Sequence, residues 1–293
     1  MPKFAEYTPE TASYQRRFSA YGVTLIVCAN TEALLAETEA LMPPGGTVLE
    51  SSSPSTAGEN GSPINVIAAD APAADHRMGI MAEADGGYSV YNGSSRVVEG
   101  QNLELSLVVL DGQIRTRVAA HAPAHTFVHA GAIAHEGRTL VMPGNSFAGK
   151  TTLTAALVRL GAIYYSDEFA VLDRNGLLHP YAKPLSLRRE DQWQVDQDVE
   201  SLGGVAGYEP LPLNLVALTY YEPGAQWDPR RLSLGESALA LMAHTVAAQT
   251  RPDESMKTLS AALDDGRVVA LEGRRGEAEE TAERLLTALS QED

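Results

Sequence analysis

The stretch from Arg138 to Asp173, RTLVMPGNSFAGKTTLTAALVRLGAIYYSDEFAVLD, limits the fold more than any other part of this 293-residue chain. An apolar run enters a loop containing Gly144 and Gly149, and the residues after it, KTTLTAALVRL, have the composition of a helix. Gly161 then stands where a helix commonly ends, because glycine accepts the left-handed backbone of that position. A second run, AIYYS, follows and finishes on Asp167 and Glu168. Strand, tight loop, helix and strand in this order form the repeating unit of a packed α/β layer.

The loop has a specific chemistry. Gly144, Gly149, Lys150 and Thr151 match glycine, four residues, glycine, lysine and a hydroxyl residue. Backbone amides that curl around an oxyanion need residues free to take positive φ, and the helix that follows adds its N-terminal partial charge. Gly144, Asn145, Ser146, Phe147, Ala148, Gly149, Lys150, Thr151 and Thr152 are therefore the expected nucleotide-binding residues. Lys150 is expected to bridge the β and γ phosphates of ATP. Thr151 is expected to offer its hydroxyl to Mg2+, a cation held mostly by phosphate oxygens and few protein groups.

Parallel neighbouring strands place their ends side by side, which would bring Asp167 and Glu168 to the loop. One carboxylate can hold Mg2+ and the other can take a proton from an attacking hydroxyl. His129 lies in FVHAGAIA, the strand whose hairpin partner feeds the loop, and is either a core histidine or a partner of the γ phosphate or of the acid that takes the proton. His121, His125, His135, His179 and His244 show no metal-ligand spacing.

The rest of the chain frames this unit. From Tyr21 to about Gly100, short strands (GVTLIVC, TVLES, INVIAA, GIMAEA, YSVYN) and a helix (TEALLAETEALM) alternate with turns. The segment from Ser51 to Pro63, SSSPSTAGENGSP, reads as linker-like surface. Leu103, Leu107, Leu110, Ile114 and Val118 share one helical face. Beyond Pro123, FVHAGAIA and RTLVM flank HEG as a hairpin, FAVLD and LLHPY flank RNG as another, and PLNLVALTYY is an apolar strand. Ser233 and Glu236 form a capping box, and the final helix turns Ala278, Leu285 and Leu289 inward. The division expected is a small α+β domain over 1–122 and an α/β domain over 123–293.

A formal charge of −16 repels nucleic acid and anionic membrane surfaces, so neither is an expected partner. The single cysteine, Cys28, sits in an apolar strand and can build neither a disulfide framework nor a cysteine metal cluster. There is no 18-residue apolar span and no signal-peptide core at the N-terminus, so a cytoplasmic location is expected.

The words VHAGAIAHEGRTLVMPGNSFAGKTTLTAALVRLGAIYYSDEFAVLD, HPYAKPLSLR and RRLSLGE resemble the HPr kinase/phosphorylase superfamily, whose P-loop core is shared with phosphoenolpyruvate carboxykinase. The resemblance is firm over Val128 to about Arg188 and loose beyond. It implies a P-loop kinase core of that type and transfer of the γ phosphate of ATP, with Mg2+, to a hydroxyl acceptor: a serine of a protein or peptide, or a small alcohol. It implies that His129 assists at the γ phosphate, that Asp167 accepts the hydroxyl proton, and that Glu168 takes the metal-side role beside Thr151. The family usually has two aspartates where this chain has Asp167 and Glu168. The glutamate-x-arginine-glycine signature of HPr kinases is missing where this chain reads PLSLRRED, which argues against HPr as the acceptor.

Arg188, Arg189, Arg274 and Arg275 are candidates to reach the phosphates. The rival expectation is a regulatory or scaffold module that holds ATP and hydrolyses it slowly. Carboxykinase activity fits less well, because no lysine and histidine pair is set to hold a second metal. A homo-oligomer is compatible with either reading.

Overall fold

The computed structural model describes residues 12–52, 76–145, 148–189, 192–263 and 268–291, with the backbone alone for 52, 187–189 and 192–195. The chain is mixed α/β and splits into two compact units, Met1–Pro123 and Ala124–Asp293.

The first unit carries β1 (Tyr14–Ala20), β2 (Val23–Ala29), α1 (Glu32–Glu37), β3 (Thr47–Ser52), β4 (His76–Ala82), β5 (Tyr88–Asn92), β6 (Ser95–Gln101) and α2 (Leu103–His121). Its strands form one sheet in the order β3-β1-β2-β4-β5-β6, antiparallel except where β2 and β4 run parallel. Strand β2 is buried on both faces, with Leu25 and Val27 on one and Ile26 and the fully buried Cys28 on the other. The four-and-three spacing in α2 buries Leu110, Ile114 and Val118, and Asn102 caps the helix by accepting from the Leu105 amide at 2.8 Å. The expected helix after Thr31 is α1 followed by a 3-10 turn over Thr38–Leu41. Strands β1 and β6 are additional to the expectation, whereas INVIAA and most of the segment from Ser51 to Pro63 lie outside the described residues.

The second unit carries β7 (His125–His135), β8 (Arg138–Pro143), α3 (Lys150–Arg159), β9 (Ile163–Ser166), β10 (Phe169–Asp173), β11 (Leu177–His179), β12 (Leu185–Arg189), β13 (Gln192–Gln197), β14 (Leu211–Tyr221), β15 (Arg230–Arg231), α4 (Leu234–Ala243), α5 (Pro252–Leu263), β16 (Val269–Arg275) and α6 (Ala278–Ser290). The main sheet runs β11-β10-β7-β8-β14-β16-β15, with β9 on β7, and β11 also pairs with β14, so part of the sheet closes on itself. Strands β8, β14 and β16 are mutually parallel and buried on both faces. On one face Leu140, Met142, Leu215 and Ala217 pack with Leu153 and Leu157 of α3 and with Ala282 and Leu285 of α6. On the other, Val141, Val216 and Leu218 pack with Leu241 of α4 and Leu259 of α5. The HEG hairpin is tight because Glu136 (φ 51°) and Gly137 (φ 78°) both take positive φ, as a two-residue turn of its hand requires. The capping box of Ser233 and Glu236 is formed in both directions.

One expectation is corrected here. The strand ending on the two acids is not a neighbour of the strand that enters the glycine loop: β7 lies between them and is antiparallel to both. Strands β8 and β9 thus point the same way without touching.

Candidate active site

Strand β7 brings the loop and the acids together. On one edge Ala130 is the register partner of Pro143, the last residue of β8. On the other, Ala132 faces Ser166 and His129 faces Phe169, so the turn Asp167–Glu168 falls opposite Ala130 and Gly131. The ladder then opens. The Gly144 amide donates to the His129 carbonyl at 3.1 Å as the chain leaves β7, and the vacated edge is taken by the residues after α4, with the His129 amide donating to the His244 carbonyl at 2.8 Å. Proline at 143 cannot donate to a ladder, which suits a strand's last paired position.

The loop is held from within and from behind. Lys150 Nζ donates to the Asn145 carbonyl at 2.8 Å, and the Ala148 amide donates to the same residue's carbonyl at 3.2 Å. Gly149 (φ 77°) is the N-cap of α3, and a Cβ there would strike the guanidinium of Arg275, whose Nη2 donates to the Gly149 carbonyl at 3.1 Å. Only glycine satisfies both the backbone angle and that contact. Gly131 plays a similar part on β7, since a Cβ there would press on Thr154 of α3. Thr151 is half-buried and Thr152 exposed in the first turn of α3, while Ser146 and Phe147 lie outside the described residues.

Asp167 is buried, and each of its oxygens meets a protein donor. The Tyr164 hydroxyl donates to Oδ1 at 3.0 Å, and the Ser186 amide donates to Oδ2 at 3.3 Å. Burial pushes its carboxyl above the usual carboxylate range, against the opposing pull of the Tyr164 bond and Lys183. Glu168 pairs with Lys183 Nζ at 3.6 Å. Ser166 shapes the turn itself, its Oγ accepting from the amides of Glu168 (3.1 Å) and Phe169 (2.9 Å).

Burial lowers the pKa of His129, as does the charge of Lys150, while Glu168 pulls it up; its ring leans on Phe169 with centroids 4.7 Å apart. Lys150 is lowered by burial and raised by both Asp167 and Glu168, so ammonium and carboxylates share one field. His244 is lowered by burial and by Lys150. Lys150, Asp167, Glu168 and His129, expected from the sequence, therefore meet in one place.

Of the four arginines, Arg274 is exposed and paired with Glu222 at 2.6 Å, whereas Arg275 is 3% exposed behind the loop. The side chains of Arg188 and Arg189 lie outside the described residues. Tyr164, Lys183 and His244 were not among the expected site residues. The parity of β16 is the signal that separates Arg275 from Arg274, since Val269 and Leu271 point to the α3 face and Arg275 follows in step.

Among the described residues, no group of three or more histidine, cysteine, aspartate or glutamate side chains could by itself hold a metal ion. The Thr151 hydroxyl and the carboxylates of Asp167 and Glu168 are hard oxygen donors, the ligand type that Mg2+ accepts. No described helix is long and apolar enough to cross a membrane. Neither comparison with protein-family models nor comparison with curated proteins gives a match to this chain.

Proposed function

We propose that this chain is an ATP-dependent phosphotransferase acting on a hydroxyl acceptor, its second unit being a P-loop kinase core of the HPr kinase and phosphoenolpyruvate carboxykinase type. The observation that supports this reading is the register of β7, which sets the Gly144–Thr151 loop on one edge and Asp167–Glu168 on the other, with Lys150 and His129 between. In this reading the loop amides and Lys150 hold the phosphates of ATP, the ammonium leaving the Asn145 carbonyl to do so. The acceptor oxygen attacks the γ phosphorus, the bond to the ADP oxygen breaks with its electron pair, and the hydroxyl proton passes to Asp167, whose burial makes it a stronger base than an exposed carboxylate. His129, kept neutral by burial, can donate one hydrogen bond to the transferring group. Thr151, Glu168 and Asp167 are the residues that would hold Mg2+, which supplies charge neutralisation to the phosphate oxygens when bound.

A second reading, a nucleotide-binding regulatory module, is favoured by one observation: both oxygens of Asp167 are already engaged by Tyr164 and Ser186. The first test applies to both. Lys150→Ala removes the cation at the phosphates and should weaken Mg·ATP binding, measured by calorimetry, by about tenfold or more. Unaltered affinity together with unaltered turnover of ATP refutes a nucleotide site at this loop.

A further inference from the structure

Arg275 is a buried cation that the transfer step does not use. Its side chain lies under the surface, burial draws its pKa below the ordinary arginine value, and none of the ion pairs among the described residues includes it. Its hydrogen-bond partners are neutral, Nη2 donating to the Gly149 carbonyl and Nη1 to the Gly276 carbonyl, each at 3.1 Å, while Nε is buried without a hydrogen-bond partner; the Glu277 carboxylate acts on it only through space. A buried guanidinium held by carbonyls is costly, so its position calls for a return.

The aromatic ring above it supplies one. The guanidinium carbon lies 5.3 Å from the centroid of Tyr221. Tyr221 and Arg275 are register partners at the ends of the parallel strands β14 and β16. Leu215 and Ala217, in step with Tyr221, and Val269, in step with Arg275, all pack against α3 and α6, so this end of the sheet presents both residues on the face that carries the loop helix. Yet Tyr221 is 55% exposed. One cation thus ties an open aromatic ring to the last residue of the glycine loop. Next to it, Glu222 is neutralised by Arg274, so no free carboxylate of that pair repels an anionic ligand.

A ligand that suits both features has an anionic end for the loop and a planar aromatic group a few bonds away. We infer that Tyr221 is the stacking platform for the purine base of a nucleoside triphosphate whose phosphates lie in the Gly144–Lys150 loop, with Arg275 holding ring and loop in register. This rests on the reading of the loop as a nucleotide site. The guanidinium is spent on the Gly149 carbonyl, so the base is met by the tyrosine, through its π face.

The experiment compares Mg·ATP with Mg·tripolyphosphate, which has the phosphates and no base, in calorimetry on the full chain. Tyr221→Ala should lose about tenfold in affinity for ATP and keep its affinity for tripolyphosphate, and Tyr221→Phe should keep both, because stacking needs the ring and not the hydroxyl. Equal losses for the two ligands in Tyr221→Ala, or no loss for ATP, overturn the platform while leaving the loop assignment standing. Wild-type protein that binds neither ligand overturns the loop assignment, and the platform falls with it.

Discussion

The two units solve the same packing problem with different consequences. The first covers a largely antiparallel sheet with α2, and among its described residues the ion pairs Arg16–Glu39, Arg96–Glu99 and Arg115–Asp111 are surface or half-buried links. The second sends three parallel strands toward one end of a sheet, and there it gathers buried Asp167, buried Arg275, and the rings of His129 and His244. Antiparallel hairpins let each strand end be tied off locally. Parallel strands leave their ends together, and the polar groups set there can act jointly on a ligand. The first unit buries Arg17 within strand β1, whereas the second buries Asp167 and Arg275 where strands end.

The sharpest test of that contrast is Asp167→Asn. If Asp167 takes the hydroxyl proton, transfer should fall by a factor of about 100 to 10,000 with Mg·ATP affinity little changed. Stability should move the other way. Burial raises the folded pKa of Asp167 above its unfolded value, so its unfavourable contribution grows as pH rises from the unfolded pKa through the folded one. At pH 7 the variant should melt above wild type, and the gain should shrink toward pH 4. Full transfer activity in the variant sinks the base assignment. If Asp167 chiefly organises Mg2+, the variant instead loses Mg2+-dependent affinity, and Glu168→Gln is the milder change.

In the first unit the expectation is reversed. Ile114→Ala, at a fully buried position of α2, should cost about 2–5 kcal/mol in denaturant unfolding and leave Mg·ATP affinity of the folded protein unchanged. A matching loss of ATP affinity would erase the division of roles between the units.

The smallest expected effect concerns a surface group of the second unit. Glu236 is drawn down to about 2, first by the Ser233 amide, then by Arg230 and the Ser233 hydroxyl. Its folded pKa is lower than its unfolded one, so its contribution is complete above about 4.5 and disappears as pH falls toward 2. Carboxyl titration by NMR should give a midpoint near 2, and Ser233→Ala should raise it. A midpoint unmoved by that substitution removes the capping box from the account.

Much of this arrangement can be traced to local signals. HEG specified its hairpin, the spacing of Leu110, Ile114 and Val118 specified α2, and the glycines around Lys150 marked where strand gives way to helix. Strand β1 escaped because Gln15 and Arg17 face inward, so YQRRFSA reads as polar surface. Strand β6 escaped because most of it is exposed and no buried face imposes alternation. At the site, residues near the glycine loop in sequence were legible, whereas Lys183 and His244 reach it by tertiary pairing with Glu168 and with the backbone of β7. No local spacing encodes such a meeting. The intervening position of β7 was also hidden, since parallel direction can be read from strand order and adjacency cannot.

The bond from Arg275 to the Gly149 carbonyl spans 126 positions of chain. The β7–β8 hairpin, the helix after it and the β9–β10 return all close within residues 125–173, and such short-range contacts form early because little chain entropy opposes them. The clamp behind the loop must wait until β16 has been laid beside β14. In a growing chain the glycine loop therefore exists for a time without its anchor, which arrives only once β16 has been made.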